Sequence, residues 1–136
     1  MKIELRDIGS DHLDFIGFAV DHGFESMKNG GVLVPFVFTL HKGKRELQRF
    51  LSDTILSSIQ SADAYVKNIH PQAEIAVLIY EGSIGAHNEK KDAIMAKVWL
   101  GNKILVFAQP YRRDNVGGIS PTGDYLYLEC KESIPG

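Results

Sequence analysis

The sequence predicts an α+β fold: an antiparallel-rich sheet of four to five strands, with one long helix and one shorter N-terminal helix on one face. Three observations predict this class. Apolar residues recur at helical spacing in two stretches of the first half of the chain. The second half contains several short β-branched and aromatic runs, and a two-residue Gly-Asn connection joins two of them.

The composition is that of a single globular domain spanning residues 1–136. Hydrophobic residues make up 44% of the chain and charged residues 24%, as in ordinary soluble domains. The one cysteine, Cys130, cannot form an intrachain disulfide. Charges interrupt the N-terminal stretch, and no apolar run reaches the roughly 18 residues of a membrane span. We therefore expect a cytoplasmic protein without membrane association.

Residues 11–27 form the first predicted helix. Ser10 or Asp11 can cap the free amides of its first turn. Gly17 and Gly23 each cost about 1 kcal/mol of helix propensity relative to alanine. The apolar face that nevertheless favours a helix consists of Leu13, Ile16, Val20, Phe24 and Met27.

A strand is predicted at residues 32–40 and the long helix at residues 44–69. The strand is apolar on both faces, which indicates cover on both sides. Pro35 cannot donate to a ladder, so we expect this strand at an edge of the sheet or with a bulge. The helix stops before Pro71, because proline disfavours helical geometry in the preceding residue. Its apolar stripe comprises Leu47, Leu51, Ile55, Ile59, Ala62, Val66 and Ile69.

The second half of the chain is predicted to contain four strands, at residues 75–80, 93–100, 103–108 and 125–130. The first of these is a continuous apolar run, typical of a central strand. Gly101 and Asn102 connect the second and third strands as a tight hairpin turn. In this register Leu100 pairs with Lys103.

The net charge of −2 conceals a segregation of charge along the chain. Residues 1–27 contain two basic and six acidic side chains, whereas residues 28–49 contain five basic and one acidic. Residues 89–113 contain six basic and two acidic side chains. The alternating signs indicate either separate solvated faces or two basic segments that converge on an anion-binding patch.

The common motifs of cofactor binding and nucleophilic catalysis are absent from the sequence, so no cofactor is expected. It contains no phosphate-binding glycine loop, no paired cysteines and no HExxH. Residues 82–85 lack the spacing of a nucleophile elbow and are interpreted as the tip of a loop between two strands. His87 is the one candidate metal ligand, in a polar loop near Glu81, Glu89 and Asp92, with a solvated turn as the alternative.

A metal-dependent nuclease site can be built from carboxylates and a lysine beside a helix. The candidate catalytic residues are Glu81, Asp92 and Lys97, with Glu46 or Asp53 on the long helix. Asp92 and Lys97 are five residues apart in a strand, so their side chains should point to opposite faces. Because the two side chains point to opposite faces, the spacing argues against a catalytic site that uses both Asp92 and Lys97.

Residues 109–113 are the candidate ligand-binding or anion-binding segment. They place the Tyr111 ring beside the guanidinium groups of Arg112 and Arg113, a combination suited to anions or to stacking on bases. The alternative is a packed tyrosine with both arginines in ion pairs. Nucleic acid is an unlikely partner, because the sequence pI is near 6.2 and no RNA-binding aromatic motif is present.

Three short stretches carry a resemblance to small uncharacterised bacterial proteins. They are IAVLIYEG at residues 75–82, KDAI at 91–94 and VFAQPYR at 106–112. The chain resembles these proteins in having a long helix, a strand ending in Tyr-x-Gly and a hairpin ending in Phe-Ala-Gln-x-Tyr. The resemblance spans residues 32–113 and implies a bacterial origin, with no activity and no functional residue attached to it.

Two functions follow from these observations as hypotheses. The first is a non-enzymatic binding or interaction domain, with a homodimer as one form, because the two-sided strands offer more apolar surface than one helix layer covers. The second is a small metal-dependent hydrolase or nuclease that uses loop 81–92 and the segment 109–113. A ligand held between helix and sheet is a third possibility.

Overall fold

The computed structural model describes residues 9–28, 32–69, 73–85, 91–101, 103–113, 118–123 and 126–132. These residues form two helices and seven strands, which confirms the α+β class. The elements are α1 (Ser10–Met27), β1 (Phe36–His41), β2 (Lys44–Arg49), α2 (Ile55–Ile69), β3 (Ile75–Ile84), β4 (Lys91–Leu100), β5 (Lys103–Arg113), β6 (Ile119–Pro121) and β7 (Leu126–Glu132).

The sheet is antiparallel, as predicted, but has more strands than the expected four to five. The order is β2-β1-β3-β4-β5, and β5 then pairs with two strands. Its first half pairs with β7, and its last three residues pair with β6. The two strands absent from the sequence prediction are β2, which lay inside the predicted helix, and the three-residue β6.

The helices lie on opposite faces of the sheet, so the prediction that both share one face is wrong. Consecutive residues of a strand point to opposite faces. Ile75, Val77 and Ile79 of β3 pack in the cluster that contains α1. Ala76 and Leu78 pack in the cluster that contains α2. A central strand that is buried on both sides requires a covering layer on each side, and each helix covers one face.

Helix α1 approaches the sheet closely at Gly23. A Cβ atom at this position would lie 3.0 Å from Ile79 Cγ2 and 3.5 Å from Ile94 Cδ1. The absence of a side chain therefore allows the helix backbone to rest on β3 and β4. The helix-propensity cost of this glycine is offset by the burial that close approach permits.

The predicted long helix is divided in the structure, because its first six residues form strand β2. Lys42 and Gly43 have positive φ angles of 51° and 77°, as a two-residue hairpin turn requires. The turn pairs His41 with Lys44 and reverses the chain, so Lys44–Arg49 continues as an edge strand. The local sequence favours a helix, and pairing with β1 overrides that preference.

Helix α2 begins after a polar capping arrangement. The Ser57 backbone N–H donates to Thr54 Oγ1 at 3.0 Å, and the Thr54 backbone N–H donates to Ser57 Oγ at 3.3 Å. These reciprocal bonds satisfy amides that a helix start leaves unpaired. They explain why the helix begins at Ile55, well after the predicted residue 44.

Pro35 does not mark an edge strand. Strand β1 lies between β2 and β3, and Pro35 stands immediately before its first residue, Phe36. At that position the missing N–H removes no ladder bond, and the Pro35 carbonyl still accepts from the Phe50 N–H at 2.9 Å. A proline just before a strand is therefore compatible with an interior strand.

The central strands follow the prediction closely and extend beyond it. Strand β3 lies inside the sheet, as its apolar run indicated, and continues to Ile84. Strands β4 and β5 pair Leu100 with Lys103 as expected, and Gly101 adopts a φ of 61° in the turn. Asn102 and Tyr125 lie outside the described residues. Neither described helix is long and apolar enough to cross a membrane.

Replacing Gly23 with valine tests the close approach of α1. We expect a loss of about 2 kcal/mol in unfolding free energy, because the new methyl groups would force the helix away from Ile79. Urea denaturation followed by circular dichroism measures the change. Ser26→Val, at an exposed position of the same helix, is the matched control and should cost less than about 0.5 kcal/mol. Equal losses in the two variants would contradict this packing role.

Candidate functional site

The α1 face of the sheet carries a row of polar side chains beyond its apolar core. Glu81 of β3 pairs with Ile94 of β4, which in turn pairs with Gln109 of β5. Tyr111 lies two residues further along β5 on the same face. The strand register therefore brings Glu81 and Tyr111 together, although 30 residues separate them in the chain.

Tyr111 and Arg113 converge on one carboxylate oxygen, and we call these residues and Glu81 the polar cluster. The Tyr111 hydroxyl donates to Glu81 Oε1 at 2.7 Å, and Arg113 Nη2 donates to the same oxygen at 3.3 Å. The Arg113 guanidinium carbon also lies 5.6 Å from the centroid of the Tyr111 ring. Phe24 of α1 meets that ring edge-on at 6.2 Å, which locks the tyrosine under the helix.

The environment of Tyr111 strongly favours the neutral phenol. Burial raises the pKa of Tyr111 above its usual value of 10.0, and the hydrogen bond to Glu81 and the negative charges of Glu81 and Asp92 raise it further. Arg113 opposes this effect only in part. Tyr111 is therefore a hydrogen-bond donor at physiological pH and is not a base.

The remaining residues of the predicted anion site are placed differently. Arg112 is exposed and points to the face opposite Tyr111 and Arg113. The Arg113 charge is already compensated by Glu81. Of the two arginines, only Arg112 lacks an ion pair to a described carboxylate, so the segment does not present two guanidinium groups to one anion.

The predicted catalytic residues do not assemble in one place. Asp92 and Lys97 lie on opposite faces of β4, as their spacing indicated, since β4 pairs with β3 without a bulge. The predicted loop 81–92 is also shorter than expected, because β3 extends to Ile84 and β4 begins at Lys91. His87 lies outside the described residues.

The two helix residues considered for the nuclease site are not on a helix. Glu46 lies on the edge strand β2, and Asp53 precedes α2. In the described part of the chain, no three side chains of histidine, cysteine, aspartate or glutamate gather in a way that could hold a metal ion. The nuclease assignment has no geometric support from these residues.

Lys97 instead forms an ion pair on the α2 face. Its Nζ lies 2.6 Å from Asp63 Oδ1 and 4.9 Å from the centroid of the Trp99 ring. Lys67 approaches the other oxygen of Asp63 at 3.2 Å. Burial alone raises the pKa of Asp63, but the bonds to Lys97 and Lys67 outweigh burial and hold the pKa below 3.8. This network ties α2 to β4.

The two basic segments of the sequence do not converge as neighbouring strands. The first includes β2 at the sheet edge, and the second includes β4 and β5. Strands β1 and β3 separate β2 from β4, a distance of about 14 Å at the usual strand spacing. The two basic segments therefore occupy separate regions of the sheet.

A cavity of about 240 Å³ lies between α1 and strands β4 and β5. Six of its lining side chains are apolar, and the seventh is the carboxamide of Gln109. Ile94 and Gln109 both line the cavity, and Ile94 pairs with Glu81 of the polar cluster, so the cavity adjoins that cluster. The lining consists of Leu13, Ile16, Val20, Ile94, Ala96, Phe107 and Gln109.

Gln109 is one of the few buried polar residues in the described part of the chain. Its Nε2 donates to the Pro110 carbonyl at 3.0 Å and to the Gly123 carbonyl at 3.2 Å. These two bonds use both hydrogens of the amide, so the group that Gln109 can offer to another molecule is its oxygen, a hydrogen-bond acceptor.

The sequence analysis did not identify this cavity. Its lining comes from one helix and two strands, and only the pairing of β4 with β5 brings Ala96 beside Phe107. One signal was present: Gln109 occupies an inward position in a strand whose other inward residues, Leu105 and Phe107, are apolar. An uncharged polar residue at such a position indicates a buried hydrogen-bonding role.

Comparisons with known proteins add no functional information. No family model matches the chain, and no curated protein and no solved structure matches it.

Replacing Tyr111 with phenylalanine tests the polar cluster. At pH 7 we expect a loss of about 1–2 kcal/mol in unfolding free energy, because a buried hydrogen bond to a carboxylate disappears. The contribution of the Tyr111 hydroxyl to the unfolding free energy is complete below pH 10. It is lost as the pH rises further, because the unfolded chain then releases the phenol proton that the folded chain still holds. The difference in urea stability should therefore shrink above pH 10. Glu81→Gln keeps a hydrogen-bond acceptor but removes the negative charge, so in that background the difference should depend less on pH. A stability difference between wild type and Tyr111→Phe that stays constant up to pH 11 would contradict the predicted role of Tyr111.

Replacing Asp63 with asparagine tests the network on the other face. We expect a loss of about 1 kcal/mol at pH 7, because two lysine contacts lose their anion. The pKa of Asp63 is lowered on folding, so this contribution is present above pH 3.8 and is lost as the pH falls. Urea unfolding at pH 7 and pH 3 should show a smaller difference between wild type and variant at pH 3 than at pH 7. Asp53→Asn is the exposed control and should change stability by less than about 0.5 kcal/mol.

Proposed function

We propose that this chain is a non-enzymatic binding domain whose cavity takes a small, mostly apolar molecule that carries one hydrogen-bond donor. The observation that carries the proposal is the cavity itself, a space of about 240 Å³ lined by six apolar side chains and one carboxamide. Small-molecule sites are typically concave and apolar, with few placed polar groups.

The size of the cavity limits the ligand. An apolar protein cavity of about 150 Å³ stays dry and binds benzene. The additional space here suits a bicyclic ring of the size of indole or a short branched chain. A longer acyl chain or a nucleotide exceeds this volume.

The chemistry of the lining selects among ligands of that size. Among the described residues that line the cavity, Gln109 is the only polar one, and its free hydrogen-bonding group is the acceptor oxygen. A ligand N–H or O–H directed at the carboxamide oxygen gains a hydrogen bond in a dry environment, whereas an isostere without a donor leaves the oxygen unpaired. Charged ligands are disfavoured, since the lining contains no charged group to pair with them.

Leu13 marks the side from which a ligand enters. It is 37% exposed, whereas each of the other lining residues is less than 9% exposed. At the other end, Phe24 and Tyr111 pack edge-to-face and restrict access from the polar cluster. A rotation of the Leu13 side chain, on the first turn of α1, opens the cavity without moving the helix.

The cytosol is the compartment we propose for this domain. The single thiol of Cys130 requires no oxidising environment, and lone cysteines are ordinary in reducing compartments.

Indole and indene provide a direct test of the binding proposal. The two probes have nearly the same shape, but only indole carries an N–H donor. We expect both to raise the melting temperature of the protein, with indole bound roughly tenfold more tightly because of one hydrogen bond to Gln109. Isothermal titration calorimetry measures the two affinities.

Ala96→Leu should fill the cavity without touching Gln109. We expect it to weaken the binding of both probes at least tenfold while stability stays the same or rises by about 1 kcal/mol. Ala64→Leu, the same change at an exposed position of α2, is the matched control and should leave binding intact. Failure of wild-type protein to bind either probe at millimolar concentration would overturn the proposal.

A further inference from the structure

One face of α1 carries a stripe of exposed carboxylates around an aromatic residue, and no other described element covers it. The stripe residues recur at steps of three and four, which places them on one side of the helix. All of them are exposed. Four are acidic, and the fifth, at the centre of the stripe, is Phe18, whose side chain is 44% exposed. We call this face the acidic stripe; it comprises Asp11, Asp14, Phe18, Asp21 and Glu25.

Beside the acidic stripe, the edge strand β2 presents basic side chains. Arg45 pairs with Leu40, and Arg49 pairs with Phe36, so both arginines lie on the face of the sheet that α1 covers. The Arg45 guanidinium carbon lies 5.1 Å from the centroid of the Phe18 ring. The basic strand and the acidic stripe therefore meet at Phe18, and we call the pair the α1–β2 surface.

These opposite charges are not neutralised within the described part of the chain. Arg45 and Arg49 form no ion pair with a described carboxylate, and neither Asp14 nor Asp21 forms one with a described cation. By contrast, Glu25 at the end of the stripe is paired with Lys28 at 2.7 Å. The described part of the chain thus carries neighbouring patches of opposite sign whose charges are not paired with each other.

We propose that the α1–β2 surface associates with the same surface of a second copy of this chain. A two-fold axis near Phe18 places the acidic stripe of each copy over the basic strand of the other, because an isologous interface pairs each patch with its complement twice. Phe18 and Arg45 lie at the centre, and aromatic and arginine side chains are common anchors of interfaces. The other charged residues of the surface lie at the rim, where they set orientation and specificity.

The extent of the surface sets the expected strength of the dimer. Helix α1 is about 27 Å long at 1.5 Å per residue. The width of the α1–β2 surface is about 20 Å, the sum of one helix diameter and two strand spacings. About 500 Å² is buried per copy, which is at the low end for a specific interface. We therefore expect a dissociation constant on the order of 10 µM and a marked dependence on salt.

Sedimentation equilibrium of the full chain tests the dimer. In about 50 mM salt the wild-type protein should dimerise in the micromolar range, and in about 500 mM salt the dissociation constant should rise roughly tenfold as charges are screened. Asp14→Lys with Asp21→Lys removes the acidic partner, and Arg45→Glu with Arg49→Glu removes the basic one. Each double variant should be monomeric at concentrations where the wild type is dimeric.

Mixing the two double variants distinguishes lost contacts from lost folding. The reversed acidic stripe of one variant complements the reversed basic strand of the other, and the unchanged basic strand of the first complements the unchanged acidic stripe of the second. The mixture should therefore recover both sets of ion pairs and form a heterodimer. Asp53→Lys, the same charge reversal at an exposed position outside the surface, should change the wild-type dissociation constant by less than about twofold.

Three results would overturn the proposal. They are a wild-type monomer at about 0.2 mM in low salt, a dimer that survives either double reversal, and a mixture of the two variants that stays monomeric. None of them depends on whether the cavity binds indole, so the dimer and the proposed ligand site fail or stand separately.

Discussion

Burial of both faces of β3 is the constraint on which the remaining structure depends. Five consecutive residues, from Ile75 to Ile79, are at most 1% exposed, and a strand with this pattern needs a covering layer above and below. Helix α1 covers one face and α2 covers the other. The helices could not share a face without exposing apolar surface equivalent to several side chains, at about 25 cal/mol per Å².

The position of the cavity follows from how α1 meets this sheet. Gly23 brings the C-terminal half of the helix into direct contact with Ile79 and Ile94. Nearer its N-terminus the helix presents Ile16 and Val20 above Ala96, whose single methyl group does not fill the space beneath them. The close contact at one end and the short side chain at the other produce a void in an otherwise dense core, since protein interiors leave few such spaces.

The sequence predicted local structure well wherever local signals agreed with the tertiary environment. Helix α1 and the β4–β5 hairpin follow the apolar period and the Gly101 turn closely. Strand β2 was missed because its residues are good helix formers, and because the positive φ at Lys42 is invisible in a non-glycine residue. The arrangement of both helices on one face was wrong for a different reason: the two-sided apolar pattern of β3 already required a second covering layer.

The candidate site was predictable in its parts and not in its assembly. Tyr111 and Arg113 attract attention as an aromatic ring beside a cation. Their carboxylate partner Glu81 is 30 or more residues away, and only two successive strand registers bring it to them.

The charged segments of the sequence were likewise predictable one by one but not in their arrangement. Their signs along the chain correctly separate an acidic α1 from a basic β2, but only the reversal at Gly43 and the crossing of α1 over β1 place Arg45 against Phe18. Opposite charges distant in sequence thereby become adjacent on one surface, and in the proposed two-fold assembly each copy would supply the counter-charges that the described part of the other copy lacks.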